Sequence, residues 1–186
     1  MFSEPRAIIY GHSYGAWLAL GFAARYPERV AGLILSGASP AFDYPAEVVA
    51  NALARDPAVA QVLIDAFSSA PADDATLEAT WRAVLPLYFH GPARPEMMAN
   101  VRFSAAGYAP SSLALEGFTM MERLPKLDTP ILVLAGRHDF ITPLGQAHRL
   151  AAAAPRATVV ELSESGHFPF VEETDAYLAA IRAWLK

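Results

Sequence analysis

Residues 6–26 read Arg-Ala-Ile-Ile-Tyr-Gly-His-Ser-Tyr-Gly-Ala-Trp-Leu-Ala-Leu-Gly-Phe-Ala-Ala-Arg-Tyr, and Pro27 follows. The short apolar run Arg6–Tyr10, with its paired isoleucines, predicts a buried strand ending at Gly11. The pattern from Tyr14 to Tyr26 predicts a helix that Pro27 ends. Between them, Gly11-His-Ser-Tyr-Gly15 fits Gly-x-Ser-x-Gly. A chain turning so sharply from strand to helix is expected to leave no room for a side chain at either glycine. The strained turn then exposes the Ser13 hydroxyl at the C-terminal edge of the sheet. A serine hydroxyl is a poor nucleophile near neutral pH, and it needs a nearby base that a third group orients.

Working outward, Arg29–Ser36 reads as a second apolar strand, followed by the loop Gly37–Pro40. Ile131–Ala135 and Ala157–Leu162 have the same character. Leu144–Ala153 is a helix opened by Thr142-Pro143, with Pro in its first turn, and Asp175–Leu185 is a closing helix. Strands that are apolar throughout and alternate with helices indicate an α/β fold, a parallel sheet with helices on both faces. Residues 41–124 break the rhythm with many prolines, aromatics and short helical patterns (Val48–Leu53, Val59–Phe67, Ala75–Val84). They read as an α-helical insertion into a core made of residues 1–40 and 125–186.

Partners for Ser13 should lie on loops after later strands, which converge on the same sheet edge. Asp139 follows the third strand in Gly136-Arg-His-Asp139. His167 follows the fourth in Ser165-Gly-His167-Phe-Pro-Phe170. The three read together as a nucleophile, an orienting acid and a base. Asp43, after the second strand, is the alternative acid. His12, beneath the turn, and His90, His138 and His148 are assigned structural places. They make no His-Glu-x-x-His or comparable metal pattern.

Composition bounds the partners. Of the 186 residues, 54% are hydrophobic and 18% charged, which excludes a disordered chain. No apolar run reaches the length of a membrane span. A net charge of −5 without a basic cluster argues against nucleic-acid or anionic-membrane partners. The absence of cysteine removes disulfides and thiolate chemistry. With no basic, apolar leader at its start, the chain is expected to be cytoplasmic. A mean hydropathy of +0.25 is high for a domain of about 20 kDa, and suggests apolar surface that something else covers.

Gly-His-Ser-Tyr-Gly-Ala, Arg-Tyr-Pro-Glu-Arg-Val, Leu-Ala-Gly-Arg-His-Asp-Phe-Ile-Thr-Pro and Ser-Gly-His-Phe-Pro-Phe-Val-Glu-Glu together resemble an α/β-hydrolase. The last two blocks and the insertion are most similar to the proline-iminopeptidase-like branch. The chain order Ser, acid, His is that of the superfamily. The resemblance implies Ser13 as nucleophile, Asp139 as acid, His167 as base and residues 41–124 as a cap. The backbone N–H of Tyr14 would be one oxyanion donor. An acyl-enzyme would form and be released by water, with no cofactor or metal.

For a small-molecule or short-peptide substrate, two chemistries compete. Removal of an N-terminal proline would use cap carboxylates drawn from Glu47, Glu78, Glu96 and Glu116. A carboxylesterase would use an apolar acyl pocket of aromatics such as Trp81, Tyr88, Phe89 and Phe103. The resemblance further implies strands ahead of the nucleophile strand, so the chain reads as the C-terminal two-thirds of such an enzyme. The nucleophile strand is then expected at an exposed edge, and the chain is expected to self-associate or take up a complementing N-terminal segment; a third reading is a non-catalytic fragment that needs another chain to complete its sheet.

Overall fold

A computed structural model describes residues 6–108 and 117–186. Four parallel strands, β1 (Ala7–His12), β2 (Val30–Ser36), β3 (Ile131–Gly136) and β4 (Ala157–Leu162), lie side by side in chain order. β3 is buried along its whole length and β2 almost so. That is what continuous Val/Ile/Leu runs require when both sheet faces are covered. The pairs His12↔Ser36, Ser36↔Leu134 and Gly136↔Leu162 bring the C-terminal ends of all four strands to one edge.

Helix α1 (Tyr14–Arg25) and helix α5 (Leu144–Ala153) close one face over Leu20, Leu33, Val133 and Leu150. Helix α6 (Thr174–Trp184) closes the other over Ile34, Leu132, Leu134 and Tyr177. Pro143 stands just before α5 as its cap, one position earlier than the first-turn place expected of it.

Between β2 and β3 come α2 (Pro45–Arg55), α3 (Pro57–Ser68) and α4 (Asp74–Val84), then short 3-10 turns at Leu85–Tyr88, Pro95–Met98 and Leu124–Lys126. Among the described residues of this stretch, the β pairing is a single bridge, Ala41 to Thr119. The insertion has its own core around Val48, Leu63, Leu87, Tyr88 and Phe89, which extends onto Phe140 of the loop after β3. No helix among the described residues is long and apolar enough to cross a membrane.

Candidate active site

Ser13 sits between the last residue of β1 and the first of α1 with φ 54° and ψ −121°, the one non-glycine residue at positive φ among those described. Its N–H donates to Ser36 O at 2.8 Å, which pins the turn to the end of β2. Gly11 is obligatory here, because a Cβ at that position would lie 2.3 Å from Gly15 O. The expectation for Gly15 needs correction: a Cβ there would meet nothing within 4 Å, so the crowding is one-sided. Tyr14 opens α1, and an N–H in the first turn of a helix has no intrahelical acceptor.

At the same edge, His167 Nδ1 lies 2.7 Å from Asp139 Oδ2, and both side chains are almost wholly buried. Asp139 Oδ1 accepts the Ile141 and Thr142 N–H groups, and Oδ2 also accepts the Thr142 hydroxyl at 2.5 Å. Asp139 therefore caps the turn before α5 and also pairs with the histidine. Burial alone would raise its pKa. The charge on His167 and the hydrogen bonds from His167 and Thr142 outweigh that and hold the carboxyl below its ordinary value. An ionised carboxylate only accepts, so His167 Nδ1 donates a proton to it.

The Ser13 side chain makes no hydrogen bond among the described residues, to His167 or otherwise. The His12 ring, one residue before Ser13, lies 4.7 Å centroid to centroid from the His167 ring and also packs on Phe168 and Phe170. Its Nδ1 is buried without a partner. Burial, reinforced by the neighbouring His167 charge, drops its pKa to about 3.

Asp43, the alternative acid, is on the outside in a two-pronged pair with Arg149 at 2.6 and 2.8 Å. That pairing holds its carboxyl low. His138 stacks on His90 at 3.7 Å, and His148 bonds Glu161 at 3.0 Å. Of the candidate amine-binding carboxylates, Glu78 pairs with Arg82 and Glu47 accepts from Gln146. Glu96 sits in the exposed turn Pro95–Met98, and Glu116 lies outside the described residues.

Three contributors escaped the reading from sequence. Thr142 holds the Asp139 carboxylate, and its signal was an Asp followed three residues later by Thr. Gly37 has φ +55°, and a Cβ there would sit 2.9 Å from His167 Cε1, so only glycine leaves the imidazole its place. Tyr88 accepts the His167 N–H at its carbonyl at 2.7 Å and sets its ring edge-on to the imidazole. Nothing in the local sequence marks a tyrosine on an insertion for that role.

A parallel α/β sheet with a strained serine after an edge strand and a buried Asp–His pair at the same edge defines a class: doubly covered α/β domains built around a strand–serine–helix turn. The chain belongs to the alpha/beta hydrolase fold family, whose sequence profile matches residues 2–174. It is 29% identical over 180 residues to a pimeloyl-[acyl-carrier protein] methyl ester esterase of Aromatoleum aromaticum, covering 91% of this chain and 70% of that one. The same-named esterase of Xanthomonas oryzae is 29% identical over 98% of this chain and 72% of its own length. Among solved structures, a thermophilic esterase from Thermogutta terrifontis superposes with a TM-score of 0.71 at 27% identity. That match covers 97% of this chain and 65% of the esterase. These relatives bear esterase names and do not support the proline-iminopeptidase branch.

Proposed function

We propose that this chain is the catalytic part of a carboxylic-ester hydrolase in which Ser13 attacks the ester carbonyl. His167 Nε2 takes the serine proton, and Asp139 holds the imidazole tautomer and stabilises the imidazolium. The Tyr14 N–H donates to the developing oxyanion. The alcohol leaves with the proton His167 returns, and water activated by the same histidine releases the acyl group. The observation that carries this reading is the buried Asp139–His167 hydrogen bond at the strand ends that also present the strained Ser13. The esterase relatives support it. Of the carboxylates that proline release would draw on, Glu47 and Glu78 are engaged elsewhere and Glu96 stands in an exposed turn, and this favours the ester.

The insertion is proposed to act as a cap that selects an apolar acyl or alkyl group. A cleft of about 410 Å³ between α3 and α4 is lined by Leu63, Phe67, Leu77, Trp81, Val84 and Tyr88. Its Tyr88 wall is the residue that packs against His167. Of the aromatics expected there, Trp81 and Tyr88 take part. Phe89 is fully buried in the insertion core, and Phe103 does not line the cleft. We also propose that the free edge of β1 takes up another strand, from a second copy or a separately supplied segment.

Hydrolysis of nitrophenyl esters of graded chain length tests the catalytic reading. Ser13→Ala is expected to bring turnover to the uncatalysed background. Asp139→Asn is expected to cost on the order of 10⁴-fold, as loss of the correct tautomer does in other triads. Ester turnover that survives Ser13→Ala, or that falls more with Asp43→Asn than with Asp139→Asn, would overturn the assignment.

A further inference from the structure

The stretch from Leu87 to Gly91 starts in the last two residues of the 3-10 turn Leu85–Tyr88 and runs on without helix or strand, and each of its residues has a backbone group tied to another element. Arg55, at the end of α2, donates from Nη1 to Leu87 O at 2.8 Å and from Nη2 to Phe89 O. Tyr88 O accepts the His167 N–H. Glu172, in the single turn Pro169–Glu172, accepts the His90 N–H at 2.7 Å and the Gly91 N–H at 3.0 Å on Oε1. The same two side chains reach the catalytic loops. Arg55 Nη1 also donates to His138 O, one residue before Asp139, at 3.0 Å. Glu172 Oε2 accepts the Gly166 N–H, one residue before His167, at 2.7 Å. Gly166 has room for no side chain, because a Cβ there would lie 2.5 Å from Tyr88 O.

The structure assigns Arg55 and Glu172 as positioning residues that lock the insertion strap 87–91 onto the loops carrying Asp139 and His167, and so hold the imidazole in its working orientation. The assignment rests on the catalytic reading above. Backbone ladders fix geometry in helices and sheets, and here two opposite charges substitute for a ladder where none exists. Arg55 satisfies carbonyls only, Glu172 satisfies N–H groups only, and between them they bracket both residues of the buried pair. The strap is consequently a fixed wall of the site, and whatever opening the insertion allows must occur outside 87–91.

Glu172→Gln replaces one acceptor oxygen with an NH₂ that faces donors, and Arg55→Lys loses the fork that spans separate carbonyls. Both are compared with the parent by the rate at which Ser13 displaces fluoride from a fluorophosphonate, and by kcat and KM on a nitrophenyl ester. The low-field proton resonance of the Asp139–His167 hydrogen bond is followed in the same samples. Each variant is expected to label and turn over roughly 10–100-fold more slowly, with KM within about twofold, and to lose or broaden the low-field resonance. Thermal melts identify any variant that fails to fold, and the second variant then decides the result.

Parent rates with an intact resonance in a folded variant would overturn the positioning assignment, as would a loss carried by KM alone. A parent chain inert to the probe would instead overturn the catalytic reading. The resonance would still report on the clamp in that case, and its survival in both variants would end the assignment.

Discussion

His12 is a charge switch that the fold keeps off. Its ring is packed among His167, Phe168 and Phe170, its Nδ1 has no partner, and its pKa falls from an ordinary 6.5 to about 3. The unfolded chain therefore binds a proton between about pH 6.5 and 3 that the folded chain refuses. Stability is complete above pH 6.5 and declines as the pH falls toward 3, by about 1.4 kcal/mol per unit. Asp139 acts in the same direction at lower pH, since its depressed pKa makes its contribution vanish as the carboxyl protonates. Urea unfolding of a His12→Gln variant at pH 7 and pH 4 is expected to show a smaller difference than the parent, by about 3 kcal/mol. An unchanged difference would mean that His12 accepts a proton in the folded state. At this scale the sequence disclosed residues that act through identity. Ser13, Asp139 and His167 each belong to a local motif, and Gly11 is half of one. Residues that act through placement stayed hidden, because Gly37 and Tyr88 acquire their roles only when β2 and the insertion meet the His167 loop.

At the level of the element, the turn from β1 into α1 concentrates its strain asymmetrically. Gly11→Ala puts a methyl group into the Gly15 carbonyl and must displace either β1 or the first turn of α1. It is expected to cost about 1–3 kcal/mol, as overpacking does elsewhere, and to abolish esterase activity with the shift of Ser13. Gly15→Ala meets open space inside a helix, where alanine is favoured by roughly 0.5–1 kcal/mol. It should unfold no more easily than the parent. Equal damage from both substitutions in a urea titration would refute the one-sided reading. The same contrast explains which elements could be read in advance. Buried strands show themselves because both faces need apolar side chains. The helices of the insertion run longer than their apolar patterns, Pro45–Arg55 against Val48–Leu53, because their ends are set by other chemistry. Proline opens α2 and α3 where no N–H bond is required. Asp56 caps α3 and Asp73 caps α4 by accepting first-turn N–H groups.

Across the whole molecule, the sheet ends on one side in β1. Among the described residues β1 pairs with β2 alone, and on it Ile8 and Tyr10 are 47% and 50% exposed. Along α1, which covers the same margin, Leu18 is 59% exposed and Phe22 and Tyr26 stack together at the surface. Arg6, the charged residue that starts the strand, does not guard the edge, because its guanidinium turns inward to Val30 O at 2.7 Å. Pro5, just ahead of it, lies outside the described residues. Free strand N–H and C=O groups beside a continuous apolar margin form a template for another strand, and natural edges are normally blunted by charge or proline. Light scattering of the isolated chain is therefore expected to show species heavier than the 20 kDa monomer, with binding of a dye for exposed apolar surface. Ile8→Lys adds a charge at an already exposed position, so it should shift the population toward monomer without lowering the melting temperature. A sharp 20 kDa peak with a cooperative melt and no dye binding in the parent would remove the edge as an association site. An Ile8→Lys variant that stays as large as the parent would place the contact elsewhere, on the outer face of α1 or on the insertion.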